Sequence, residues 1–381
     1  MIGPEFKPAF DGLRVIDLTQ GLAGPYCAML MAQNGADVVK VEPPEGDWSR
    51  RLGVAAGPDR SAAYVASNRG KRAIVADLKS PGGIKVVRAL TRDADVFMES
   101  NRAGVAERLG LGYDSLCAEN KNLVYMSITG FGQGGPYADR PATDAILQAF
   151  SGLMMSNLEK DGVPKLIGFP VPDYTTGLIA YQTLVTALYG RAMHGGGRRL
   201  DVSLMQAMLL FQQQGLIARE IDPRPPHGSP LPPTGTYTAM DGYINISVVR
   251  EKFFQSLCSV LGLSDMADDY RFNSIEGRRV HVDELLPPIE RAIAARNLND
   301  LATAFMAADV PYAIVNDYHD AVRDAHVAAV DGVAWQSLEG LPDLPFVNVP
   351  GSMPLGLDDR RTRIPALDGD RAEILAELNF E

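Results

Sequence analysis

The sequence predicts an α/β protein, a doubly wound parallel sheet joined to a second, smaller α+β domain. Three observations lead there. Short runs rich in Val, Ile and Leu alternate with helical segments over roughly the first 220 residues, the pattern of βαβ units. A proline-dense stretch, Asp222–Gly235, then breaks the pattern, because proline can continue neither a helix nor a central strand. Beyond it, a hairpin turn signal and several helices form a different kind of unit. A chain of 381 residues also exceeds what one core usually serves.

Taken in order, Leu13–Leu18 reads as a buried strand, Pro25–Asn34 as a short helix ended by Gly35, and Val38–Val41 as the next strand. Arg72–Leu78 is a strand and Pro81–Thr91 a helix with proline in its first turn. Ala94–Met98 is a strand, followed by short helices near Val105–Arg108 and Tyr113–Glu119, and Leu123–Ile128 is a fourth strand. A glycine-rich loop, Gly130–Pro136, leads to a helix over Thr143–Leu153. Gly168–Gly177 then carries Pro170 and Pro172 into a helix that runs to Met193 and stops at Gly195-Gly196-Gly197. Leu200–Ser203 is a strand and Leu204–Glu220 a helix, completing a Rossmann-like large domain.

The expected division is a large domain over 1–222, completed by about 345–381, a Pro-rich linker over 223–235, a small α+β domain over 236–325 and a return linker over 326–345. In the small domain Asp241-Gly242 marks a hairpin between Thr236–Ala239 and Tyr243–Val248, with helices at Lys252–Leu261, Val282–Ala295 and Leu298–Ala308.

Composition excludes several function classes. Net charge is −11 and the cations are scattered, so no basic block suits nucleic acid. No apolar run reaches the length of a membrane span, and the N-terminus lacks a signal peptide's apolar core. Cys27, Cys117 and Cys258 are far apart and odd in number, which fits a reducing compartment, the cytoplasm, rather than a disulfide framework. The five histidines show no metal-ligand spacing, so no metal is expected.

The motifs narrow the chemistry. Gly130–Gly135 matches G-x-G-x-x-G in form, but Pro136–Pro141 follows where a helix should begin, and Asp144 falls too early for the ribose acid. Neither a G-x-S-x-G elbow nor a phosphate-binding GxxxxGK[ST] motif is present. Lys71, Arg72, Lys79, Arg102 and Arg108 fall in the half of the fold whose strand ends bind ligands, and several cations on one crevice would suit phosphates. Chemistry therefore falls to carboxylates. Proline disfavours helix for the residue before it, so Asp173 is expected where an extended chain turns into a helix. It reads either as an N-cap or as a reactive carboxylate held at a helix mouth.

Several stretches, in order, resemble the class III coenzyme A-transferase family, to which the alpha-methylacyl-CoA racemases are related. They are Leu13–Thr19 with Ala23-Gly24-Pro25, Gly35–Glu42, Asn68–Arg72, Ala76–Lys79, Glu99 with Arg102, Gly104-Val105 with Glu107–Gly110, Ser127–Gln133, Gly152-Leu153-Met154 and Val171-Pro172-Asp173. The resemblance implies an interlocked homodimer in which each chain forms a ring threaded by the other. It places the nucleophile on Asp173 and CoA contacts on Gln20, Leu22, Ala23, Lys79, Ser100, Asn101, Arg102, Arg108, Arg140 and Thr143, with Asp144 as a supporting carboxylate.

The implied substrates are an acyl-CoA and a carboxylic acid, dicarboxylates included, with no permanently bound cofactor. Helix-mouth placement would keep Asp173 ionised, and N–H groups over Tyr174–Gly177 would serve developing oxyanions. One departure is Ser100-Asn101, where many members have Asn-Phe, which bears on adenine packing. Gly235 is the nearest counterpart of the glycine run that members acting on very small acids carry. Arg224, His227 and Arg250 are the cations available for a second carboxylate. The racemase branch carries a His immediately before the Asp of the loop after the glycine run. Here that pair is Thr143-Asp144, and Arg250 stands where the racemases' small-domain acid would be. A racemase, a non-catalytic CoA-binding homologue and a dinucleotide oxidoreductase are the alternatives.

Overall fold

The structure, a computed structural model, describes residues 7–158, 162–222, 231–338, 340–356 and 359–378. Prolines 223, 225, 226 and 230 of the expected linker, with Arg224 and His227, lie outside the described residues. The chain divides into two compact units, Met1–Ala218 with Ala328–Glu381, and Arg219–Val327.

In the first unit the elements run β1 (Arg14–Asp17), α1 (Ala23–Gln33), β2 (Asp37–Glu42), α2 (Ala62–Asn68), β3 (Arg72–Val75), α3 (Pro81–Arg92), β4 (Val96–Glu99), α4 (Val105–Arg108), α5 (Tyr113–Glu119), β5 (Val124–Thr129), α6 (Asp144–Phe150), α7 (Val171–His194), β6 (Arg198–Ser203), α8 (Leu204–Phe211) and α9 (Gln213–Ile221), whose last residues pass into the second unit. All six strands are parallel, in the order β3-β2-β1-β4-β5-β6. That is the doubly wound order, and it reverses between β1 and β4, where such sheets bind ligands.

Strand side chains alternate between faces, and both faces are covered. Val15, Val38, Val96, Met98, Val124 and Met126 pack with Cys27, Met31, Ala180 and Leu184 of α1 and α7. Ile16, Val39, Val41, Ile74, Phe97 and Tyr125 pack on the other face with Val86, Val87 and Leu90 of α3 and Leu116 of α5.

The second unit holds an antiparallel sheet of β7 (Gly235–Thr238), β8 (Tyr243–Ile246) and β9 (Tyr312–Ile314). Its helices are α10 (Glu251–Leu261), α11 (Ser264–Asp268), α12 (Ile275–Val280), α13 (Val282–Ala294) and α14 (Leu298–Ala307), then the short α15 (Tyr318–Ala321) and α16 (Ala325–Ala329). Phe254, Leu257, Leu285, Ile289, Leu301 and Phe305 form its core with the sheet. The chain then returns to the first unit through β10 (Val333–Gln336), β11 (Leu344–Val347) and α17 (Arg371–Glu377), whose Ile374 seals the α3 face. The stretch expected as a return linker thus carries a helix and one arm of an antiparallel hairpin.

Two expectations change at element level. The single helix expected over Leu204–Glu220 is two, divided at Gln212. The helix carrying Asp173 starts at Val171, because Pro172 falls in the first turn, where its missing N–H has no intrahelical partner to lose. Among the described residues no helix is long and apolar enough to cross a membrane.

Candidate active site

Parallel β5 and β6 require the chain between them to return across the sheet, so α7 runs against the strands. Its N-terminus therefore lies at the edge where the strands end, which is also the edge of the β1–β4 crossover. Close approach fixes its seat. A Cβ on Gly177 would come 2.7 Å from the Ala23 carbonyl oxygen of α1 and 2.9 Å from the Tyr26 ring, so only glycine lets the two helices meet there. Tyr174 adds an edge-on contact to Tyr26, with ring centroids 4.9 Å apart, and a stack on Phe169 at 5.0 Å.

Asp173 is the third residue of α7, not its cap. Pro170 holds the N-cap position, and its side chain caps nothing. The Asp173 N–H donates to Asp144 Oδ2 at 3.3 Å. Asp144 opens α6, and its Oδ1 accepts from Gln148 Nε2 at 2.7 Å. Among the described residues the half-buried Asp173 carboxylate itself has neither hydrogen bond nor ion pair. Burial, with the Asp144 charge beside it, pushes it up to about 7 from the ordinary 3.8. Desolvation and a like charge thus pull against the ionisation expected of a helix mouth. The N–H groups of Tyr174–Gly177 are not free for an oxyanion either. Tyr174 N–H donates to Pro170 O at 3.2 Å, and the next ones lie inside the helical ladder.

Three other carboxylates at this edge are locked. Asp17, fully buried, accepts from Thr19 N–H at 3.0 Å and from Lys71 Nζ at 2.8 Å. Lys71 spends its remaining donors on Pro25 O and Asn68 Oδ1. Lys40 pairs with Asp47 at 2.8 Å and donates to Thr19 O at 3.0 Å. Asp47 accepts from Gly21 N–H at 3.0 Å, and Glu42 binds Arg50 through both oxygens. Burial alone would push Asp17, Glu42 and Asp47 up. Their cations and donors outweigh it and hold all three below the usual carboxylate range. Lys71, pulled by burial, falls to about 8.

This network grips the Thr19–Gly21 turn from below. It also corrects the phosphate assignment of two cations. Lys71 is sealed inside it, and Arg72, at the start of β3, is taken by Asp37, Glu373 and Glu377 at the opposite edge of the sheet.

Above the turn lies a crevice of about 180 Å³, and Gln20, Lys79 and Asn101 line it with Leu18, Val41, Glu42, Pro43, Pro44, Glu45 and Asp77. Ser100 joins the group by accepting Gln20 N–H at 3.0 Å. Leu22 and Ala23 have buried side chains and offer only main chain. Lys79, Arg102 and Arg108 are exposed and carry no ion pair among the described residues. Arg140 lies 5.2 Å from the Tyr137 ring centroid, and Thr143 stands before α6 without a side-chain cap bond. Arg102, Arg108, Arg140 and Thr143 are thus not among the crevice residues.

Sequence reasoning missed Gln148, although its i, i+4 relation to Asp144 was the available signal. It also missed the Tyr26–Tyr174–Phe169 stack. Arg250, at the N-cap position of α10, makes no side-chain cap bond. The exposed group Asp317, His319 and Asp320 is the one set with metal-compatible spacing among the described residues, and nothing else there points to an ion.

The family model of CoA-transferase family III matches residues 10–371. The succinate–glutarate CoA-transferase of Agrobacterium fabrum is 37% identical over 98% of this chain and 97% of its own. The acetyl-CoA:oxalate CoA-transferase of Acetobacter aceti is 35% identical over 85% of each. Among solved structures, a CaiB/BaiF family protein from Brucella suis superposes with a TM-score of 0.86 at 32% identity, covering 98% of this chain and 100% of that one.

Proposed function

The chain belongs to CoA-transferase family III and is a CoA-transferase, and we propose that it moves CoA from a donor acyl-CoA to a carboxylic acid through covalent intermediates on Asp173. The single observation that carries this reading is the state of that carboxylate. It is half-buried, without a partner among the described residues and poised near neutrality, whereas Asp17, Glu42 and Asp47 are bound to cations. A free carboxylate of raised basicity is the better nucleophile.

The Asp173 oxygen attacks the donor thioester carbonyl. The C–S bond breaks, leaving an acyl-aspartyl anhydride and CoA thiolate. The thiolate attacks the aspartyl carbonyl, releasing the donor acid as its carboxylate and leaving an aspartyl-CoA thioester. The acceptor carboxylate attacks that thioester and expels thiolate. The thiolate then attacks the acceptor carbonyl of the new anhydride, giving acceptor acyl-CoA and the original Asp173 carboxylate. Every step exchanges one acyl link for another, so the thioester energy is conserved.

In this reading CoA lies along the crevice at Gln20, Ser100 and Asn101, with the main chain of Leu22 and Ala23 beside it. Lys79, Arg102 and Arg108 meet phosphates, and Arg140 and Thr143 flank the pantetheine approach. Relatives named for succinate, glutarate and oxalate support a dicarboxylate acceptor. The three free thiols, two of them buried, support a cytoplasmic setting. The racemase alternative is not favoured, since the relatives are named CoA-transferases and Thr143 precedes Asp144.

Asp173→Ala tests the reading in a donor–acceptor screen with succinyl-CoA or acetyl-CoA against short mono- and dicarboxylates. Exchange should vanish while CoA affinity stays within about threefold of wild type. An Asp173→Ala enzyme that still exchanges CoA would overturn it.

A further inference from the structure

We propose that Gln148 is a positioning residue for Asp173, acting through Asp144; the inference rests on Asp173 being the nucleophile. Gln148 is only 2% exposed, and its amide is the junction of the segments that meet at the mouth of α7. Its Nε2 donates to Asp144 Oδ1 at 2.7 Å and reaches Ile167 O at 3.2 Å and Phe169 O at 3.3 Å. Its Oε1 accepts Ile167 N–H at 2.9 Å. One side chain thus fixes the Ile167–Phe169 approach and orients the carboxylate that accepts Asp173 N–H. Phe169 in turn accepts Val171 N–H at 2.8 Å and stacks on Tyr174, so both sides of the first turn of α7 refer back to Gln148.

The polarity of this chain is specific. An amide can donate to Asp144 and accept from Ile167 at once. A carboxylate at 148 could only accept, and would face the Asp144 oxygen with its own. The Asp144 carboxylate would then turn from the Asp173 N–H, and the nucleophile would lose its reference position. A misplacement of about 1 Å at a reacting group costs on the order of a hundredfold in rate.

The test is a polarity swap. Gln148→Glu keeps the acceptor for Ile167 N–H but removes the donor to Asp144 and to the Ile167 and Phe169 carbonyl oxygens. It should lower kcat for CoA exchange about 10- to 100-fold with KM for acyl-CoA changed less than about threefold. Combining it with Asp144→Asn reverses donor and acceptor, so the pair is joined again and still offers an oxygen to Asp173 N–H. The double variant should recover at least about tenfold of the lost kcat, a non-additivity that a purely structural role would not produce.

Wild-type kcat in Gln148→Glu, or losses that simply add in the double variant, would overturn the inference. Should Gln148→Glu fail to fold, Gln148→Met fills the same space without a donor; an unchanged kcat there overturns it equally. Asp173→Ala is the parallel control. Exchange surviving in Asp173→Ala sinks the nucleophile reading itself. Exchange lost there but intact in Gln148→Glu sinks only the role of Gln148.

Discussion

At the scale of single residues, the proposed function rests on one carboxylate that has no cation among the described residues, unlike Asp17, Glu42 and Asp47. The proposed attack requires Asp173 to be ionised, and burial with the Asp144 charge raises it to about 7. The single-turnover rate should therefore rise with pH to a plateau, with its midpoint near 7. In Asp144→Asn the midpoint should move to lower pH, since the like charge is gone. A rate profile flat from pH 5 to pH 9 would contradict this.

The same shift has a stability consequence. Between about pH 4 and pH 7 the folded state holds the Asp173 proton more tightly than the unfolded chain, so ionising it costs stability as pH rises through that window. Asp173→Asn should thus be more stable than wild type at pH 8 by about 1–3 kcal/mol, and the gap should close toward pH 4, as thermal or urea denaturation can measure. The position of Asp173 was legible from the resemblance carried by Val171-Pro172-Asp173. Its environment was not, because Asp144 and Gln148 reach it across loops, and the cap reading failed once Pro172 proved compatible with the first turn.

At the scale of elements, the crevice depends on the Thr19–Gly21 turn, and the turn depends on the buried ions beneath it. Lys71→Met leaves Asp17 buried without its cation and should cost about 3–5 kcal/mol, with weakened CoA binding, by denaturation and titration calorimetry. Stability and CoA affinity both equal to wild type would contradict that role. Gly177→Ala sets a Cβ against the Ala23 carbonyl and should cost about 1–3 kcal/mol by forcing α1 and α7 apart. The strands and most helices were legible, because Val and Ile runs and glycine stops are local signals. The ion network was not. Asp17 and Lys71 lie 54 positions apart, and a lysine after Gly70 reads as a cation open to phosphate until the fold buries it.

At the scale of the molecule, the order β3-β2-β1-β4-β5-β6 brings the crevice residues and the mouth of α7 to one edge of one sheet. The helices α8 and α9 leave apolar surface uncovered: α9 buries no side chain, and Ile221 is 80% exposed, with Phe211 and Ile217 exposed as well. A second copy of the chain, as the homodimer of the resemblance implies, is the occupant we expect there. Light scattering should give twice the 41.1 kDa chain mass, and Phe211→Asp with Ile217→Asp should lower it toward the single-chain value. A single-chain mass for the wild type would contradict it. No local pattern in the sequence shows this face, since α8 and α9 read there as one helix.

The most direct test of the whole account is chemical trapping. The wild-type enzyme, incubated with a competent acyl-CoA and then with hydroxylamine, should yield a hydroxamate mapped by peptide mass spectrometry to Asp173 and to no other side chain. A hydroxamate on a different carboxylate, or none under conditions where exchange proceeds, would contradict it.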